Sequence, residues 1–236
     1  MTYGKDELLE KACKIFETRI FRNLISIGLS KASKLEEYNI NPLLLKYLAN
    51  FGFGDDSPKS LAKALILPRV LGTSISTSFG THVQNLVIEI FPSVNASIGS
   101  GLDIEFVDQI DGRHKYCQLK AGPNTINSGD VEPIISKLTS GYRLLRTNGN
   151  REVRPEDLFV GVLYGTPNSL NNFYKLISAS NPVEVGTSLW HRLSGYETFY
   201  SDLIEAISDL AMTHDAQKEL DLAIERLANQ IKRVGL

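Results

Sequence analysis

The chain has 236 residues, 42% of them hydrophobic and 22% charged, with a formal net charge of −2. That is the composition of a soluble globular protein able to bury a sizeable core. It excludes a broadly basic surface, although a local basic cleft can sit on a neutral protein.

Residues 5 to 33 place Leu8, Ala12, Ile15, Ile20, Leu24 and Ile27 at helical spacing, which predicts helix. Asn41 as cap and Pro42 in the first turn predict a second helix running to Phe51. FGFGDDSP reads as a loop. Ser57 then caps a helix that opens at Pro58 and continues until Pro68. In THVQNLVIEIF, Val83, Leu86, Val87 and Ile90 share one helical face, with His82, Asn85 and Glu89 on the polar side beside it.

From there the period changes to two. LDIEFVDQI and HKYCQLKA read as strands joined through an Asp-Gly turn. The alternation puts Asp103, Glu105 and Val107 on one face of the first strand and Gln118 and Lys120 on one face of the second. GPNTINSGD reads as a polar loop and VEPIISKLTSGYRLLRTN as an amphipathic helix. LFVGVLYGT has the continuous apolar run of a strand buried on both sides. A weaker strand or loop is expected over residues 173–186, with helices at roughly 196–212 and 214–233. This order predicts an α/β fold with a mixed central sheet flanked by helices and an N-terminal helical subdomain.

The segment GLDIEFVDQIDGRHKYCQLKA carries the chemistry. An amine largely removed from water, such as Lys120 at the end of an apolar strand, needs negative charge beside it. Paired strands lie ~4.8 Å apart, so the Asp103 carboxylate, the Gln118 amide oxygen and the Lys120 amine would surround one small volume. A hard cation such as Mg²⁺ fits there, held by Asp103, Gln118 and the Leu119 carbonyl. Such a cation polarises a phosphodiester and acidifies a bound water, which Lys120 would orient or help deprotonate.

Asp103, a turn, then Gln118-Leu119-Lys120 resembles the PD-(D/E)XK nuclease signature, with glutamine in place of the second acid. INPLLLKYL, ILPRVLG, QLKAGPNTI, VGVLYG and SLWHRL are further similar to segments of type II restriction endonucleases that cut interrupted G/C-rich palindromes of the GG-N-CC kind. The resemblance implies a restriction-endonuclease-like α/β core over residues 66–236 and a helical subdomain over 1–65 for dimerisation or clasping DNA. It implies Mg²⁺-dependent hydrolysis of double-stranded DNA at a short palindrome, a homodimer, and a companion DNA methyltransferase of the same specificity. Asp103 matches the family's metal-binding aspartate and Lys120 its catalytic lysine. With Gln118 uncharged, a further carboxylate would come from Glu105 or, preferred, from Glu89 on the preceding helix.

Asn124, Thr125, Asn127 and Ser128 offer short hydrogen-bonding groups for DNA just past the catalytic strand, and Arg143 and Arg146 offer cations on the next helix. The bland alternatives are a polar loop and a solvated helix face. His82 and His114 read as surface histidines, Trp190 as a packing residue, and Cys13 and Cys117 as buried thiols without a disulfide partner. The two cysteines, a start without a signal peptide and the lack of a membrane-length apolar run predict a cytoplasmic protein with no membrane association. Two other readings keep the same fold. One is a non-specific or repair-type nuclease. The other is a catalytically inactive DNA-binding protein, of which Gln118 would be the symptom.

Overall fold

The computed structural model describes residues 3–22, 24–74, 85–213 and 216–236. Two compact units emerge, Met1–Ile15 with Gly80–Ile207 and Phe16–Phe79 with Ser208–Leu236. The expected boundary at residue 65 instead falls inside the helix Pro58–Leu67.

The first unit holds a five-stranded sheet in the order β1 (Val94–Ala96), β2 (Ile104–Val107), β3 (His114–Lys120), β4 (Leu158–Val162) and β5 (Val183–Val185). β1 to β3 pair antiparallel, while β3, β4 and β5 run parallel, so the sheet is mixed as expected. Every residue of β4 is buried, in keeping with its continuous apolar run.

Helices in the unit are α1 (Lys5–Ile15), a turn of helix over 85–90, α5 (Ser128–Thr147), α6 (Asn172–Ser178), α7 (Thr187–Ser194) and α8 (Phe199–Thr213), the last continuing past residue 207. Asn127 caps α5 by accepting from the Gly129 N–H at 2.8 Å, and the Asp130 carboxylate accepts in turn from the Asn127 N–H at 2.8 Å. One side of the sheet buries Tyr116, Val160 and Val162 against Ile134, Leu138 and Leu145 of α5 and Tyr174 and Ile177 of α6. On the other side Leu189 of α7 closes over Gly161 and Cys117. Trp190 packs there against Phe91 and Phe199, its indole N–H donating to the Leu163 carbonyl at 2.7 Å. The packing role expected for Trp190 is the one found.

The second unit is helical. It contains α2 (Pro42–Phe53), α3 (Pro58–Leu67), α9 (Ala216–Val234), and wider π-type turns over Phe16–Phe21, Leu24–Leu29 and Pro68–Ser74. Asn41 accepts from the Leu43 and Leu44 N–H groups, and Ser57 from Ser60, so both predicted caps form. Leu61, Ala62 and Ile66 of α3 are buried with Ala223, Ile224, Leu227 and Ile231 of α9. The C-terminal helix thereby joins the N-terminal helices, a pairing that no local pattern announces.

Other elements differ from expectation. The run 5–33 is not one regular helix, since its second half takes π-type turns. β1, Val94–Ala96, forms where no strand was expected. The segment 173–186 divides into α6 and β5, and SLWHRL forms α7. The start of the helix read over THVQNLVIEIF, with His82 and Val83, lies outside the described residues. No helix among the described residues is long and apolar enough to cross a membrane.

Candidate active site

The hairpin register pairs Ile104 with Cys117 and Glu105 with Tyr116. Alternation then sets Asp103, Glu105, Tyr116, Gln118 and Lys120 on the face that carries α5. Asp103 lies one residue before β2, where the chain has already left regular pairing, yet its N–H still donates to the Cys117 carbonyl at 3.1 Å.

The Asp103 carboxylate is the hub. Its Oδ2 accepts from the Leu119 backbone N–H at 2.8 Å and from the Gln118 side-chain amide. Its Oδ1 faces Lys137 Nζ of α5 at 3.6 Å. Gln118 is buried, and with its NH2 group turned to Asp103, its Oε1 has no hydrogen-bond partner among the described residues. A buried carbonyl oxygen left unpaired costs about 1–3 kcal/mol. Such an atom beside a carboxylate is a ready oxygen ligand for a hard cation, and a carboxylate, an amide oxygen and a backbone carbonyl are the donor types that Mg²⁺ takes.

Lys120 ends β3, half-buried, and its amine makes no ion pair or hydrogen bond among the described residues. Its backbone carbonyl accepts from Leu163 N–H at 3.1 Å, fixing the strand end that presents the amine. The loop beyond is braced from below. Tyr174 donates to the Gly122 carbonyl at 3.0 Å and lies 3.1 Å from Thr125 Oγ1. Burial pushes the Tyr174 phenol up to about 12, so it stays a neutral donor at any physiological pH.

The further carboxylates proposed for the site stand as follows. Glu105 accepts from Ser97 Oγ at 2.8 Å, and Ser97 in turn meets Ser100 at 2.6 Å. Glu89 is half-buried on the 85–90 helical turn. Among the described residues, no three histidine, cysteine or acidic side chains gather closely enough to hold a metal ion.

Of the DNA-contact candidates, Asn124 and Ser128 are exposed beside the site. Thr125 spends its hydroxyl on the Gly122 carbonyl at 2.8 Å, and Asn127 spends its side chain on the helix cap. Arg143 and Arg146 stand six and nine residues beyond Lys137 on α5, roughly 9 and 13 Å along the axis. Arg146 is tied to the Arg151 carbonyl at 2.6 Å. His114 is exposed, its ring 4.9 Å from Tyr116. Cys117 is buried and Cys13 only partly so.

Sequence reasoning missed Lys137. Its neighbours on α5, Ile134, Leu138 and Gly141, form the inward stripe, and a Cβ on Gly141 would lie 2.8 Å from the Ser100 carbonyl. That close approach brings Lys137 to Asp103. The stripe was legible, but not what it would lean on.

A mixed sheet with helices on both faces, and an aspartate joined to a Gln-Leu-Lys strand end, define a restriction-endonuclease-like α/β protein. The chain matches the family of the type II restriction endonuclease EcoO109I over residues 5–215. It therefore belongs to the type II restriction endonucleases, a family of enzymes that hydrolyse DNA. It is also 24% identical over 107 residues to a phosphoenolpyruvate phosphomutase of Streptomyces viridochromogenes. That match takes in 45% of this chain and 34% of the length of that protein.

Proposed function

We propose that this protein hydrolyses phosphodiester bonds in double-stranded DNA at a short palindrome with Mg²⁺. The site would be of the interrupted GG-N-CC type, the protein would act as a homodimer in the cytoplasm, and a methyltransferase would protect the same sequence. The observation that carries the reading is the Asp103 carboxylate bound to the Gln118-Leu119 strand end, with the orphaned Gln118 Oε1 buried beside it.

Asp103, Gln118 Oε1 and the Leu119 carbonyl would hold the metal. When bound, a divalent cation supplies Lewis acidity to the phosphodiester and acidifies a water. The remaining work falls to the chain. Lys120 orients the attacking water and balances charge gathering on the phosphoryl oxygens. The Leu119 N–H and the Gln118 amide keep Asp103 in one orientation. Asn124 and Ser128 reach toward the DNA next to the scissile bond, while the distant Arg143 would meet a phosphate outside the reacting nucleotides. Glu89 remains the preferred source of a further acid, with Glu105 the other.

Incubating the protein with DNA carrying GG-N-CC sites and Mg²⁺ tests the reading, with discrete fragments expected. Smeared nicking would point to a non-specific nuclease. Intact DNA with a band shift would fit an inactive DNA-binding protein, the reading that the uncharged Gln118 keeps open.

A further inference from the structure

Beyond Lys120 the chain enters the loop that follows β3, and this loop is locked to the one that follows β4. A Cβ on Gly122 would collide with Cζ and Oη of Tyr164, so the tip of that ring lies directly on the Gly122 backbone. In exchange Gly165, at φ +108°, leaves room for Pro123, whose Cγ would be 3.1 Å from a Cβ placed there. Asn171, just before α6, ties the loops together. Its backbone N–H donates to the Pro123 carbonyl at 3.1 Å and its side-chain amide to the Ile126 carbonyl at 2.9 Å.

Tyr164 is nevertheless 46% exposed, and its hydroxyl makes no hydrogen bond among the described residues. The register aligns Lys120 with Val162, and Tyr164 follows two residues later toward the sheet face that carries α5. Its neighbours agree. Beyond burial, the main cause, Asp130 and Tyr164 both push the Tyr174 phenol up, and Tyr174 belongs to that face. A free hydroxyl is therefore presented on the same face and at the same end of the sheet as Lys120. Ligands of parallel strands gather at this carboxyl end. Packing on Gly122 fixes the ring, so little rotamer freedom is left to lose on binding. An ionised phosphodiester suits a neutral O–H because the bond is charge-assisted, and phosphate takes much of all protein–DNA hydrogen bonding. Two residues of extended chain span ~7 Å, and nucleotides advance ~3.4 Å along the duplex axis, which sets the reach at about two nucleotides.

We propose that the Tyr164 hydroxyl donates to a phosphate oxygen of the strand being cut, about two nucleotides from the scissile phosphate, and that its contact with Gly122 aims it. The inference rests on the reading of Asp103 and Lys120 as the cutting site and adds to it a residue that seats the substrate.

Tyr164→Phe keeps the ring on Gly122 and removes only the O–H, so its melting should match the parent. Fluorescence anisotropy with a GG-N-CC duplex, without metal, should show about tenfold weaker binding. The salt dependence should not change, because a neutral donor displaces no counterion. In single-turnover cutting with Mg²⁺ the loss should appear in the protein concentration needed, not in the rate at saturation. Duplexes carrying one methylphosphonate at a time locate the acceptor. At one position near the cut the parent should lose about tenfold and the Phe variant nothing further. Parent-like binding by Tyr164→Phe overturns the proposal, as do losses that add at every methylphosphonate position. A parent that binds the duplex but leaves it intact strikes the catalytic reading alone, and the binding measurements still decide for Tyr164. A parent that binds no duplex overturns both.

Discussion

Lys137 and Asp103 face each other at 3.6 Å, a cation from helix α5 set against the carboxylate that leads into β2. Lys137 is 43% and Asp103 21% exposed at the side chain, so the pair is worth under ~1 kcal/mol to folding. Its larger effect is on what else Asp103 can bind. Lys137→Met keeps the aliphatic stem and removes a positive charge from the edge of the proposed metal site. It should tighten Mg²⁺ binding about two- to fivefold, read by calorimetry without DNA, while the melting temperature moves by no more than a few degrees. Unchanged or weaker metal binding would show that the amine does not compete.

Gln118→Glu restores the acid expected at this position, but places it, buried, against Asp103. Two carboxylates sharing a dry site cannot both ionise cheaply. Without metal the variant should melt lower at pH 7 than the parent and recover as the pH falls toward 5. Saturating Mg²⁺ should reverse the loss, because a dication offsets the second negative charge. Gln118→Ala should instead weaken metal binding with little pH dependence. A Glu variant indifferent to both pH and Mg²⁺ would remove Gln118 from the metal site.

Asp157 is the clearest acid-sensitive group. Burial pushes its carboxyl up. Hydrogen bonds from Arg113, Lys115 at 2.9 Å and the Arg154 N–H at 2.9 Å outweigh this and hold it well below the usual carboxylate range. A depressed folded-state pKa stabilises the protein above the unfolded value near ~3.9 and loses that contribution as the pH falls toward the folded value. Stability should therefore drop below about pH 5. Asp157→Asn should cost about 3 kcal/mol at neutral pH, since Lys115 loses one of its two carboxylate partners. It should also flatten the acid limb of the stability curve, measured by urea unfolding from pH 7 to 3. A steep limb that survives the substitution would place the acid sensitivity elsewhere.

Gly161 sits in the middle of β4, where an added Cβ would fall 2.6 Å from Cys117 Sγ and 3.0–3.1 Å from the Leu189 methyls. Gly161→Ala should destabilise the sheet by about 1–3 kcal/mol through overpacking. The neighbouring strand end would shift with it, so cleavage should fall more than stability alone explains. Gly161→Ala with Leu189→Val, which opens room, should recover part of the melting temperature. A Gly161→Ala chain as stable as the parent would mean that α7 can move aside freely.

Much of this protein follows from its sequence read locally. The Asn41-Pro42 and Ser57-Pro58 starts are chemical caps that need no distant partner, and both form. A strand's period of two is a backbone property, so alternation alone put Asp103, Gln118 and Lys120 on one face, and the hairpin register agrees. What remained hidden depends on contacts between residues far apart in the chain. Lys137 reaches Asp103 because Gly141 lets α5 press on the Ser100 carbonyl. Arg146 donates to the Arg151 carbonyl beyond the end of α5, a contact that no local pattern announced. β1 and β5, three residues each, are too short to show a period and exist because a neighbouring strand offers hydrogen bonds. Helix α9 and α3 share one buried cluster, and the chain passes between the two units three times, at 15/16, 79/80 and 207/208, where a single boundary at residue 65 was expected. Local periodicity sets which faces exist; burial across the whole chain decides which faces meet.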